Sequence, residues 1–176
     1  MGMTKSEFFQ NALMDALRKR VEESEEYLVM SMERRAKRRW YEGRSFLFSG
    51  ALDLVTYRSV WEMKCTSMLS KEHQLQLLLY AWFWKGLEEF YQKSPESFSD
   101  RERKYVAPLK GCELMSGGKE FHLFNVKTRE HLRLKNGLSF GELTDFVALW
   151  VDGKNNSVAL SVQLSDAEFL RILEEV

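Results

Sequence analysis

The chain has 176 residues, 44% of them hydrophobic, and its 26 Lys and Arg are balanced by 26 Asp and Glu. This length buries a substantial core without disulfides, and two cysteines build no disulfide framework, so a reducing compartment, cytoplasm or nucleus, is expected. Zero net charge speaks against a protein that coats nucleic acid through a uniformly basic surface, and no apolar run approaches a membrane span.

In chain order, Ser6 to Glu22 is predicted to be an amphipathic helix, with Phe9, Leu13, Ala16, Leu17 and Val21 near one face. Arg34, Arg35, Lys37, Arg38 and Arg39 lead into Trp40, Tyr41 and Arg44. This basic and aromatic segment reads equally as a grip on a nucleic-acid backbone or as a solvated turn. Phe46 to Thr56 and Val60 to Cys65 are rich in strand-favouring residues and are separated by Tyr57, Arg58 and Ser59, so an antiparallel hairpin is expected.

Ser70 is the expected cap of a helix over Lys71 to Gln92, which Gly86 does not end. His73, Gln76 and Tyr80 share one face of it, and Leu75, Leu78, Leu79 and Trp82 serve the core. Ser94 to Arg103 reads as an exposed loop. A second hairpin is predicted from Phe121–Lys127 and His131–Lys135 around Thr128-Arg129-Glu130, then a helix over Leu138 to Trp150 capped by Ser139. Val158 to Leu164 is a predicted strand, and Ser165-Asp166-Ala167-Glu168 opens a final helix expected to run through Glu175. The whole, residues 1–176, reads as a single domain with one loop at about 94–103.

The chemistry concentrates in the first hairpin. Centring its turn between Tyr57 and Arg58 pairs Thr56 with Ser59, Val55 with Val60, and Asp53 with Glu62. Directly opposed carboxylates repel unless a cation neutralises them. Lys64 lies two residues beyond Glu62 on the same strand face. Mg²⁺ uses one or two carboxylates and keeps waters elsewhere, so Asp53, Glu62 and the backbone carbonyl of Met63 form a candidate hard-metal site with an ammonium beside it.

The order Gly50-x-x-Asp53, Glu62-Met63-Lys64, Gln76-x-x-x-Tyr80 resembles the PD-(D/E)xK nuclease superfamily, in particular its RecB-like exonuclease branch. The resemblance covers about residues 46–80. It implies an α/β fold with a restriction-endonuclease-like core, a mixed central β-sheet flanked by helices, and DNA cleavage dependent on Mg²⁺ or Mn²⁺. It further implies that Asp53 and Glu62 bind metal, Lys64 is the catalytic lysine, and Gln76 and Tyr80 orient it and contact DNA. Branch members often add a ligand from an upstream helix. No histidine precedes His73 here, which leaves Asp15, Glu23 or Glu7 as the upstream acid. For His73 itself a helix-end role without chemistry is preferred. Two cysteines cannot build the four-cysteine iron–sulfur cluster that some members carry.

The expected function is therefore a metal-dependent deoxyribonuclease of exonuclease or flap-processing type, acting on single-stranded DNA or duplex ends. RNA stays open as a substrate. The alternatives are a non-catalytic nucleic-acid-binding module of the same fold and an RNA endonuclease of the viral polymerase kind. Nuclease modules are often joined to helicases or replication proteins, so the chain is also read as a domain excised from a larger protein. No G-x-x-x-x-G-K-S/T loop or zinc-finger spacing competes with this reading.

Overall fold

A computed structural model describes residues 2–23, 52–56, 58–106, 119–156 and 164–176. Its sheet starts with the expected hairpin. β1 (Leu54–Val55) is antiparallel to β2 (Ser59–Lys64), with Val55 opposite Val60 and Leu54 opposite Trp61. The Thr56 amide donates to the Ser59 carbonyl at 2.8 Å, and their hydroxyls meet at 2.7 Å, which closes the turn. β3 (Glu120–Asn125) is parallel to β2, and β4 (His131–Leu134) is antiparallel to β3. β5 (Leu173–Glu175) is antiparallel to β4 and completes a mixed sheet in the order β1-β2-β3-β4-β5.

The chain divides into two compact units, residues 1–48 with 141–163 and residues 49–140 with 164–176. In the first, α1 (Lys5–Glu23) starts from a capping box: the Thr4 hydroxyl accepts the Glu7 amide and the Glu7 carboxylate accepts the Thr4 amide. Its buried residues are Phe8, Leu13, Met14, Ala16 and Leu17. Phe8 thus takes the core position expected for Phe9, which is half-buried and edge-on to it at 5.7 Å.

The parallel step from β2 to β3 needs a crossover, and α2 (Lys71–Lys93) forms part of it in the second unit. Ser70 caps this helix as expected. Its hydroxyl accepts the His73 amide, while His73 Nδ1 accepts the Ser70 amide at 3.1 Å. Leu77, Leu78, Ala81, Trp82 and Phe90 are its most buried residues, and Trp82 stacks on Phe140 at 6.1 Å. Ser94 donates its amide to the Phe90 carbonyl at the helix end, and Pro95 follows.

The expected exposed loop is only partly a loop. Pro95–Ser97 is a 3₁₀ turn, and α3 (Asp100–Val106) begins at a reciprocal Ser99–Glu102 cap. Phe98 is buried against Phe90 and Tyr91, so apolar packing draws the segment in. α4 (Phe140–Asn156) follows Ser139 and outruns the predicted Trp150 end. The predicted strand from Val158 lies outside the described residues up to Leu164.

Ser165 caps α5 (Asp166–Leu170) as its capping box predicts, but the helix does not continue through Glu175. The chain turns at Arg171 and becomes β5, because Leu173 is buried opposite Leu134 and Glu174 reaches Arg133 at 2.6 Å. A capping box specifies where a helix starts, and pairing across the sheet decides where it stops. No helix among the described residues is long and apolar enough to cross a membrane.

The two sheet faces differ. Val60, Phe121 and Leu123 are buried, Phe121 opposite Val60 and Leu123 opposite Glu62. On the other face Trp61 stacks on His122 at 4.1 Å, and His122 Nδ1 lies 3.0 Å from His131 Nε2. Burial first, and then neighbouring charge that includes Arg133, holds both imidazoles below the usual histidine range. The unfolded chain therefore binds more protons than the fold below about pH 6.5, so stability is retained above that value and lost as pH falls toward the lowered folded values. Thermal melts at pH 7.5 and 5.5 are expected to show the lower midpoint at 5.5, with the difference reduced in His131→Gln.

Candidate functional site

Strand alternation places Val60, Glu62 and Lys64 on one face of β2, with Trp61 and Met63 on the other. Glu62 occupies what is otherwise a core position, at 2% exposure. A buried carboxylate is costly unless paired. Lys64 Nζ donates to Glu62 Oε1 and, at 2.9 Å, to Gln76 Oε1. The Gln76 side chain then donates from Nε2 to the Tyr80 hydroxyl at 2.8 Å. This sets the amide of Gln76, oxygen toward the ammonium and nitrogen toward the phenol. The spacing of Gln76 and Tyr80, four residues apart, brings them together on α2.

Lys64 thus directs two of its three N–H bonds at Glu62 and Gln76, and its side chain is 19% exposed. Glu62 Oε2 is different: it is buried and has no hydrogen-bond partner among the described residues. A buried carboxylate oxygen left unmatched is one that can accept a cation.

Asp53 comes from the opposite strand. It lies one residue before the β1–β2 ladder, whose outermost pair is Leu54 with Trp61, so the expected Asp53–Glu62 pair is the next position along the register and is not itself a ladder pair. Its Oδ2 accepts the Met63 amide at 2.8 Å, which ties the carboxylate to the β2 backbone. The side chain is exposed, and its second oxygen has no partner among the described residues. The carbonyls of Arg58 and Lys64 bond toward β3, and that of Ser59 toward β1. Alternation along β2 therefore turns the Met63 carbonyl to the β1 side, beside its own amide and Asp53.

These donors are all oxygens: the unpartnered Glu62 Oε2, the Asp53 carboxylate and the Met63 carbonyl. Among the described residues no group of three His, Cys, Asp or Glu converges. The set matches a hard cation of the Mg²⁺ or Mn²⁺ kind, which binds few carboxylates and retains water, and not a tetrahedral zinc centre.

The structure places the remaining candidates as follows. His73 works in the α2 cap, the helix-end role expected of it. Glu7 caps α1, and Asp15 is exposed and paired with Arg18 at 2.7 Å, both within the other unit. Glu23 ends α1, and its side chain lies outside the described part. Arg34, Arg35, Lys37, Arg38, Arg39, Trp40 and Arg44 also lie outside the described residues.

One supporting residue, Asn125, has no sequence signal. It is fully buried, and its Nδ2 donates to the Thr66 carbonyl and to Glu130, while its Oδ1 accepts the Thr66 and Lys127 amides. It sits opposite Lys64 in the β2–β3 ladder and anchors the segment that leads from Lys64 to α2. An asparagine within a predicted strand gives no local hint of such a long-range role. No protein-family model, curated protein or solved structure matches the chain.

Proposed function

We propose that this chain is a divalent-metal-dependent nuclease that hydrolyses DNA phosphodiester bonds, with a restriction-endonuclease-like core of the RecB-like kind and an exonuclease or flap-processing action. One observation carries the reading. A buried glutamate has one oxygen on a lysine and the other without a partner among the described residues, near an aspartate whose carboxylate accepts the Met63 amide.

Asp53, Glu62 and the Met63 carbonyl would hold Mg²⁺ or Mn²⁺. When bound, the cation supplies water activation and neutralises charge on the phosphoryl group and the leaving oxygen. Lys64 is kept extended by Glu62 and Gln76, and its third N–H bond is available to a water or a phosphate oxygen. Water attacks phosphorus as the bond to the leaving sugar oxygen breaks, the water losing a proton to solvent and the leaving oxygen gaining one from solvent, and the lysine charge offsets the charge developing on the phosphoryl oxygens. Tyr80 braces Gln76, so its part is to fix the lysine in place.

The test uses one labelled DNA strand and a matching RNA, measured for binding and for cleavage in EDTA and then after addition of Mg²⁺ or Mn²⁺. The nuclease reading expects binding without products under chelation, and products on metal addition with DNA preferred. Binding with no product in either metal would replace it with a non-catalytic binding module, and cleavage confined to RNA would replace the substrate.

A further inference from the structure

We propose that His122 and His131, on the sheet face opposite Val60 and Glu62, form a binding site for a transition-metal ion with a preference for imidazole, Cu²⁺ above all. His122 Nδ1 and His131 Nε2 face each other at 3.0 Å across β3 and β4. Two nitrogens bound to one ion at the usual bond length are roughly 2.8 Å apart in square-planar and 3.4 Å apart in tetrahedral geometry, so both rings reach one metal with small shifts.

The surroundings suit that ion. His122 Nε2 lies 3.4 Å from Glu120 Oε2, a contact that favours the proton on Nε2 and leaves Nδ1 to accept from His131 Nε2–H, so metal binding shifts the His131 proton from Nε2 to Nδ1. Arg133 is the nearby positive charge, but it bonds Glu174 at 2.6 and 3.0 Å and approaches Glu120 at 4.0 Å. Glu174 and Glu120 partly offset that charge. Both imidazoles are held in the neutral form that ligates metal. Water completes the coordination shell, since no third histidine, cysteine or carboxylate converges among the described residues. The chain has three histidines, and His73 is tied to the Ser70 amide.

The experiment adds one equivalent of Cu²⁺ to untagged protein at pH 7.5 and records the electron paramagnetic resonance spectrum and tryptophan fluorescence. The expected spectrum shows two imidazole nitrogens on copper, with quenching through Trp61, which stacks on His122. His131→Gln should weaken binding by about tenfold or more and remove one nitrogen. A wild-type spectrum with fewer than two imidazole nitrogens overturns the proposal. So does copper affinity in folded His131→Gln within twofold of wild type. The wild-type spectrum counts nitrogens by itself, so the outcome does not depend on a variant folding, and it is independent of DNA cleavage.

Discussion

Lys64→Met is expected to lower the stability of the fold by about 3 kcal/mol and to abolish metal-dependent cleavage. The variant keeps the aliphatic stem and removes the ammonium, which leaves the Glu62 carboxylate buried with neither oxygen neutralised. Breaking a buried pair from one side costs about 3–5 kcal/mol, and the 19% exposure of Lys64 sets the low end of that range. Adding Glu62→Leu removes the stranded charge, so the double variant should return to within about 1 kcal/mol of wild type while staying inactive. Urea denaturation of the three proteins reads the stability terms. Equal stability of wild type and Lys64→Met would mean that Glu62 gains nothing from its lysine.

The second large effect is on chemistry alone. Asp53→Asn keeps an oxygen that can accept the Met63 amide and removes the carboxylate charge beside β2. Its stability cost should stay near or below about 1 kcal/mol, since the side chain is exposed and its bond to Met63 survives. Cleavage should fall by more than about 100-fold, because changes to residues behind the ligands alone cost about 10–100-fold at metal sites and Asp53 is placed as a ligand. Calorimetric titration with Mn²⁺ should show the matching loss of affinity. A variant that binds Mn²⁺ and cuts DNA like wild type would move the cation elsewhere.

The site is legible in the sequence because its contacts are short-range or periodic. The β1–β2 register, Val55 with Val60 and Leu54 with Trp61, follows from the turn between the strands. The Ser70 cap sets the phase of α2, and with it the shared face of Gln76 and Tyr80. What is not legible depends on distant partners. Ile172 to Glu175 carries a helix-compatible sequence, yet Leu134 and Arg133 draw Leu173 and Glu174 into a strand. Phe98 is held by Phe90 and Tyr91, so a polar stretch becomes a packed turn with a short helix behind it. The Ser99-Asp100-Arg101-Glu102 capping box is present as a local signal but is masked by the charged, proline-containing composition around it. The stack of Trp61 on His122 needs the parallel β2–β3 pairing, which no local pattern specifies.

The most direct measurement is single-turnover cleavage of 5′-end-labelled single-stranded and blunt duplex DNA by untagged wild type in Mn²⁺, with Asp53→Asn and Lys64→Met purified in parallel. A nuclease centred on Asp53, Glu62 and Lys64 gives products from wild type that vanish in EDTA and are reduced to background in both variants. DNA left intact by folded wild type, or cleavage that persists equally in Asp53→Asn, would contradict that assignment.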